Sequence, residues 1–256
     1  MLDLFNLEVG YPGLRGRVLA PLLLSLAPGS FVCVLGRNGA GKSTLMRTIA
    51  GLQDPLSGEA QLYGASIHGL AAVERARQIA VVLTERPTSP GLTVEDVVLL
   101  GRQPFTNWQG RFSPDDRELA GIALARAGAT AFAKRYFDDL SDGERQRVMI
   151  ARALAQAPRL MILDEITAFL DLPGRVEVMG LLQRHARETG CAILLSSHDL
   201  ELSLQLADTV WLLDGQGEIS IGAPQKLVRS GDIGRAFDSD EVRFSTQLGR
   251  FELVDE

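Results

Sequence analysis

Gly36-Arg37-Asn38-Gly39-Ala40-Gly41-Lys42-Ser43 follows the apolar run Phe31-Val32-Cys33-Val34-Leu35 and opens a segment, Lys42–Ala50, that reads as a helix. A short continuous apolar run suits a strand buried on both faces. Glycines let successive backbone N–H groups turn toward one anionic centre, and a helix N-terminus adds the positive end of its dipole. The pattern G-x4-G-K-[ST] binds phosphate when a strand precedes it and a helix follows, and both are expected here. Gly36, Asn38, Gly39 and Gly41 would form the cradle, and Lys42 would reach the β- and γ-phosphates. Ser43 would offer its hydroxyl to Mg²⁺, and Thr44 would contribute mainly its backbone.

Outward from this loop the pattern supports an α/β fold. Before it, Leu2–Val9 and Val18–Leu26 read as strands that end at the Pro28-Gly29 turn. After it come strands Glu59–Tyr63 and Ile79–Leu83, with helical Leu70–Arg77 between them. From about Thr93 the chain reads as helix. Thr93-Val94-Glu95-Asp96 suits a capped start, and Ser113-Pro114-Asp115-Asp116 combines an N-cap, a proline and first-turn acids. That second helix runs to about Ala127, and a third spans Asp142–Gln156. Strands Leu160–Leu163, Ala192–Leu195 and Val210–Leu213 then alternate with helices Arg175–Glu188 and Leu200–Ala207. Such alternation predicts a mainly parallel sheet covered by helices, with residues 90–155 as an inserted helical lobe. Val242, Phe244, Phe251 and Leu253 flank Gly249 and suggest a small C-terminal hairpin within 238–256.

Composition narrows the classes. The chain has 256 residues, 46% hydrophobic and 23% charged, and a net charge of −6. That is ordinary globular composition in a chain long enough for a full core, and it argues against a general nucleic-acid binder, which needs a basic face. No apolar run approaches a membrane-spanning length. Met1-Leu2-Asp3-Leu4 lacks the basic region of a signal peptide, so the chain reads as cytosolic. Cys33 and Cys191 sit in apolar runs and read as core residues in strands, not as a disulfide or metal site. His68 and His185 have no partner motif and read as surface residues.

Two further stretches carry chemistry. Leu160-Met161-Ile162-Leu163-Asp164-Glu165 ends an apolar strand in adjacent carboxylates, at the sheet edge where ligands bind in open α/β folds. Asp164 would hold Mg²⁺, through water, and Glu165 would polarise the water that attacks the γ-phosphate. His198 follows another apolar strand and reads as a γ-phosphate contact.

With these motifs in this order, the chain resembles the ATP-binding subunit of an ABC transporter over essentially its whole length. The resemblance implies a P-loop NTPase core with an N-terminal antiparallel β subdomain and an inserted helical subdomain. Gly36–Thr44 matches the Walker A loop, Leu160–Glu165 the Walker B strand, Leu170-Asp171 the D-loop and His198 the switch histidine. Tyr11 stands where an aromatic residue stacks on adenine. Leu140-Ser141-Asp142-Gly143-Glu144 matches the signature segment. The implied assembly is a head-to-tail pair of chains with each ATP held between the Walker loop of one and the signature of the other. Ser141 and the Gly143 N–H would touch the γ-phosphate in trans.

Three positions depart from the family pattern. Asp142 replaces a glycine and Glu144 a glutamine in the signature, and Glu85 stands where the Q-loop glutamine is expected. Glu144 retains an acceptor for a ribose hydroxyl, and Asp142 suits a helix start. Glu85 keeps the capacity to ligate Mg²⁺ but cannot donate a hydrogen bond, so weaker or slower coupling of hydrolysis is expected, with ATP binding kept. Gly101–Trp108, Gly110-Arg111 and Ala168–Pro173 resemble the subfamily serving iron–siderophore, haem and cobalamin uptake. The resemblance then implies a subunit on the cytoplasmic face of the membrane, seated on an integral permease through a groove formed by Thr93–Trp108. An extracytoplasmic binding protein would be an indirect partner. A soluble ABC ATPase of assembly or repair, and a nucleotide-gated regulatory subunit with weak turnover, are the alternative classes.

Overall fold

The computed structural model describes residues 1–13, 16–83 and 89–254. Its centre is a six-stranded sheet in the order β10-β9-β3-β8-β7-β6. Five strands run parallel: β3 (Phe31–Gly36), β6 (Ile79–Val82), β7 (Leu160–Asp164), β8 (Ala192–Ser196) and β9 (Thr209–Leu213). β10 (Ile219–Gly222) closes one edge antiparallel to β9. β3, β7 and β8 are buried at every position, as their unbroken apolar runs require.

Alternation along β3 divides the core. Phe31, Cys33 and Leu35 join a cluster shared with the helices, while Val32 and Val34 join a second cluster beneath the N-terminal sheet. That second sheet is antiparallel, in the order β2 (Gly16–Leu26), β1 (Leu2–Tyr11), β4 (Ser57–Leu62), β5 (Ala65–Ser66). Each fully buried Leu or Ile in these clusters contributes roughly 1.5–3 kcal/mol of transfer free energy.

Helix α1 (Lys42–Ile49) leaves the loop after β3, and α2 (Ala72–Gln78) precedes β6. The segment between β6 and β7 holds α3 (Val94–Leu99), a 3₁₀ run Leu100–Phe105, α4 (Pro114–Arg126) and α5 (Asp142–Ala155). Reciprocal capping boxes start all three α-helices, at Thr93/Asp96, Ser113/Asp116 and Ser141/Glu144. Buried Arg102 fastens this lobe, with Nε donating to Asp116 Oδ1 at 2.9 Å and a second nitrogen donating to Ala155 O at 3.0 Å. Burial works to raise the Asp116 carboxyl, but the Ser113 N–H, Arg102 and the Ser113 hydroxyl outweigh it and hold it below its usual range. The Arg102 guanidinium also lies 4.0 Å from the centre of the Phe105 ring, while Trp108 is 91% exposed.

Helix α6 spans Leu172–Thr189, three residues longer at its start than the expected Arg175, because the Asp171 side chain accepts the Gly174 N–H and Pro173 fits the first turn. α7 (Leu200–Leu206) leads into β9. Beyond β10, α8 (Pro224–Arg229) and α9 (Asp232–Phe237) had no counterpart in the sequence reading. β11 (Val242–Ser245) and β12 (Arg250–Leu253) then pair antiparallel, with Phe244 and Phe251 edge-to-face at 5.4 Å. Cys33 and Cys191 are free and buried, and burial pushes both thiols up to about 12; Cys191 lies just before β8 instead of within a strand.

Candidate active site

β3 delivers the chain to the Gly36–Ser43 loop at the carboxyl edge of the sheet. Gly41 caps α1 at φ 100°, and a Cβ there would lie 2.4 Å from Val18 Cγ1, so conformation and space both demand glycine. No side chain caps α1 and no acid stands in its first turn, which leaves its N-terminal N–H groups open to an anion. Lys42 is buried, and its ammonium donates to Gly36 O at 2.8 Å and Arg37 O at 3.3 Å. Burial lowers the Lys42 pKa, with Glu165 and then Asp164 opposing the shift. The Tyr11 hydroxyl lies 3.2 Å from Thr44 Oγ1. Tyr11, Asn38, Gly39, Gly41, Lys42, Ser43, Thr44 and Glu165, with Val18, line one cavity of about 240 Å³.

The ends of β7 and β8 complete this site. Asp164 pairs with Ser196 in the parallel register. The Ser196 hydroxyl donates to Asp164 Oδ1 at 2.5 Å and accepts the Glu165 N–H at 2.9 Å. Glu165 takes φ 53°, a left-handed conformation that residues other than glycine seldom adopt. Its Oε1 lies 2.7 Å from His198 Nε2. Asp164 is only 3% exposed. Among the described residues no group of three or more His, Cys, Asp or Glu side chains forms a metal cage. A nucleotide-bound Mg²⁺ needs only one or two protein oxygens beside phosphate and water. The Ser43 hydroxyl and the Asp164 carboxylate are hard oxygen donors that fit this demand.

Ser141, Gly143 and Glu144 begin α5 and do not line that cavity. The Ser141 hydroxyl donates to Glu144 Oε2 at 2.8 Å, and the Ser141 N–H reaches the same oxygen at 2.8 Å. Arg135 holds Glu144 Oε1 at 2.9 Å. The Ser141 N–H and hydroxyl depress the Glu144 pKa, with Arg135 adding to them against some desolvation. Both Glu144 oxygens are thus engaged within the chain. The Gly143 position faces Leu170, whose Cδ2 would stand 3.4 Å from an added Cβ.

Glu85 lies outside the described residues. His185 corrects its surface assignment: it is 7% exposed on the inner side of α6, where Arg126 donates to Nδ1 at 3.4 Å. Burial and then the Arg126 charge lower its pKa. His68 is half-buried against Gln53 O at 3.2 Å. A larger cavity, about 710 Å³, contains His185, Arg159 and Cys191 at the opposite edge of the sheet, where β7 and β8 begin. None of the motif residues reaches it, so chemistry and not volume selects the site. Ser196 escaped the sequence reading, although a hydroxyl that follows the apolar run 192–195 and precedes His198 by two residues was a usable signal.

Residues 19–168 match the family described as ABC transporter. The chain belongs to the ABC transporter family. This ABC chain is 39% identical over 253 residues to an uncharacterized ABC transporter ATP-binding protein of Methanocaldococcus jannaschii, covering 99% of itself and 87% of that relative. It is 38% identical over 224 residues to the iron(3+)-hydroxamate import ATP-binding protein FhuC of Bacillus subtilis, covering 87% and 83%. A dimeric post-hydrolysis ATP-binding cassette bound to ADP and Pi shares its fold with a TM-score of 0.75 at 27% identity, over 88% of this chain and 99% of that one. No helix among the described residues of the ABC chain is long and apolar enough to cross a membrane.

Proposed function

We propose that this chain binds ATP at the Gly36–Ser43 loop, hydrolyses it, and powers uptake through a membrane permease. The observation that carries the reading is Glu165, which lies in the Lys42 cavity with its carboxylate fixed by His198 at 2.7 Å. Open N–H groups of α1 and the Lys42 ammonium hold the β- and γ-phosphates. Tyr11, tied to Thr44 at the mouth of the cavity, packs on the adenine. Glu165 accepts the proton of the attacking water, and His198 contacts the γ-phosphate. Ser43, through its hydroxyl, and Asp164, through water, would hold Mg²⁺, which when bound would supply charge neutralisation for the phosphates. Ser141 and Gly143 of a second copy complete the site in trans, a reading supported by the dimeric cassette that this fold matches.

Relatives named for import of iron(3+)-hydroxamate, achromobactin, petrobactin and cobalamin support a metal-chelate type of cargo. Exposed Trp108, three residues after Phe105, supports docking of the permease on the helical lobe, which sets the chain on the cytoplasmic face of the membrane. An extracytoplasmic binding protein acts upstream of the permease, outside this chain. Glu165→Gln tests the chemistry. Turnover falls by about 10²–10⁴-fold while ATP still binds. An unchanged rate in purified protein refutes the assignment of the base. Failure to co-purify with any membrane subunit favours the assembly or repair class.

A further inference from the structure

We infer that Ser196 is a positioning residue for hydrolysis, joining the Mg²⁺ ligand Asp164 to the base Glu165. This rests on the reading of those two acids just given. Ser196 is fully buried and ends β8 directly beside Asp164. A hydroxyl has one proton and two lone pairs, so it can donate to Asp164 Oδ1 and accept the Glu165 N–H at the same time. Both bonds are present, at 2.5 and 2.9 Å. The first fixes the plane of a carboxylate that must meet a metal ion. The second holds the backbone of Glu165 in a left-handed conformation that its own side chain disfavours.

The end of β8 therefore grips Glu165 twice. His198 holds the carboxylate and Ser196 holds the main chain. The two ties differ in kind. His198 is half exposed and is also the residue read as contacting the γ-phosphate, so its ring serves two partners. Ser196 has no access to solvent and no second task, so its tie persists through the cycle and keeps the base in register with the metal ligand.

The test compares Ser196→Ala, Ser196→Thr and Ser197→Ala in the full chain. Ser197 is the adjacent buried hydroxyl, bonded to the Asp199 N–H at 3.0 Å. Three readouts apply: kcat against KM for ATP, the binding of Mn²⁺ to the ADP complex followed by its EPR signal, and the melting temperature. Loss of a partner that orients a metal ligand costs about 10–100-fold in metal affinity or activity. Ser196→Ala is expected to lose kcat and Mn²⁺ affinity in that range with KM within about twofold, Ser196→Thr to recover most of both, and Ser197→Ala to match the parent. If Ser196→Ala melts early, the near-isosteric Ser196→Cys, a weak donor, must fall between serine and alanine. Parental kcat and Mn²⁺ affinity in a folded Ser196→Ala, or equal loss in Ser197→Ala, overturns the inference. A parent chain with no ATPase, or one insensitive to Glu165→Gln, would instead sink the reading beneath it.

Discussion

Two helices of this molecule begin where phosphate is expected, and their first turns are built in opposite ways. α1 starts at Gly41 with no side-chain cap and no acid in its first turn. α5 starts at Ser141 inside a complete capping box, with Asp142 and Glu144 in its first turn and Arg135 on Glu144. A bare helix N-terminus carries unsatisfied N–H groups and about half a positive charge. A capped and acid-bearing one has already satisfied part of both. On the proposed function, α1 is therefore the stronger anion site and α5 the weaker. The proposed function then expects one nucleotide to load on each chain before the pair closes, with Ser141 and Gly143 of the second copy meeting its γ-phosphate last.

The contrast is broken most directly at Lys42. Lys42→Ala removes a charged donor from the α1 end, and a hydrogen bond to a charged group is worth about 1.5–3 kcal/mol. Nucleotide affinity of the isolated chain should fall by about 10–150-fold in a fluorescent-nucleotide titration. Affinity within a factor of two of the parent would mean that the bare N-terminus holds ATP alone.

Ser141→Ala is the matching change at α5, and its effect should divide differently. The loss of an N-cap hydroxyl costs about 1 kcal/mol of stability. Binding of one nucleotide to an isolated chain should stay at the parental value, because Ser141 does not line that cavity. ATP-driven self-association and turnover should both fall, by roughly tenfold for one lost phosphate contact of about 1.4 kcal/mol. Sedimentation with and without ATP separates the two. A Ser141→Ala chain that binds a single nucleotide as poorly as Lys42→Ala would erase the distinction between the helices.

The two helix starts also show what can be read from a sequence. The α1 site was legible because its chemistry is consecutive: strand, glycine loop, lysine and helix lie within Phe31–Ile49. Asp164 and Glu165 were legible for the same reason, at the end of one apolar run. Ser196 was marked only by its place between the apolar run 192–195 and His198, because its bonds to Asp164 and Glu165 arise only when β8 pairs with β7 in this register. The Arg102–Asp116 tie hides in the same way, between the 3₁₀ run and α4. His185 was misread because it has no partner motif, although Val178, Leu182, His185 and Ala186 are spaced as one buried stripe of α6. At α5 the letters Ser141 and Glu144 were seen as separate contacts to a ligand. Their spacing of three is also that of a capping box, which binds each to the other first.

Glu144→Gln sharpens the comparison with the smallest effect. Glutamine at the same position can still complete a capping box, so only the charge is lost. That charge favours the helix dipole and pairs with Arg135, at about 0.3–1 kcal/mol together. For a chain of this size the melting temperature at neutral pH should drop by no more than about 4 °C. Acid dependence gives the sign. The folded state holds the Glu144 carboxyl below its ordinary 4.5, so the stabilisation is complete above that pH and is lost as pH falls through the depressed value. Parent and variant melting curves should therefore converge as the pH falls below that depressed value. Removing an anion beside the incoming γ-phosphate should also strengthen ATP-driven pairing by about two- to fivefold, since the same 0.3–1 kcal/mol of charge now acts in reverse. If Glu144→Gln instead weakens pairing, the carboxylate itself meets the nucleotide across the interface, and α5 is less self-contained than its capping box suggests.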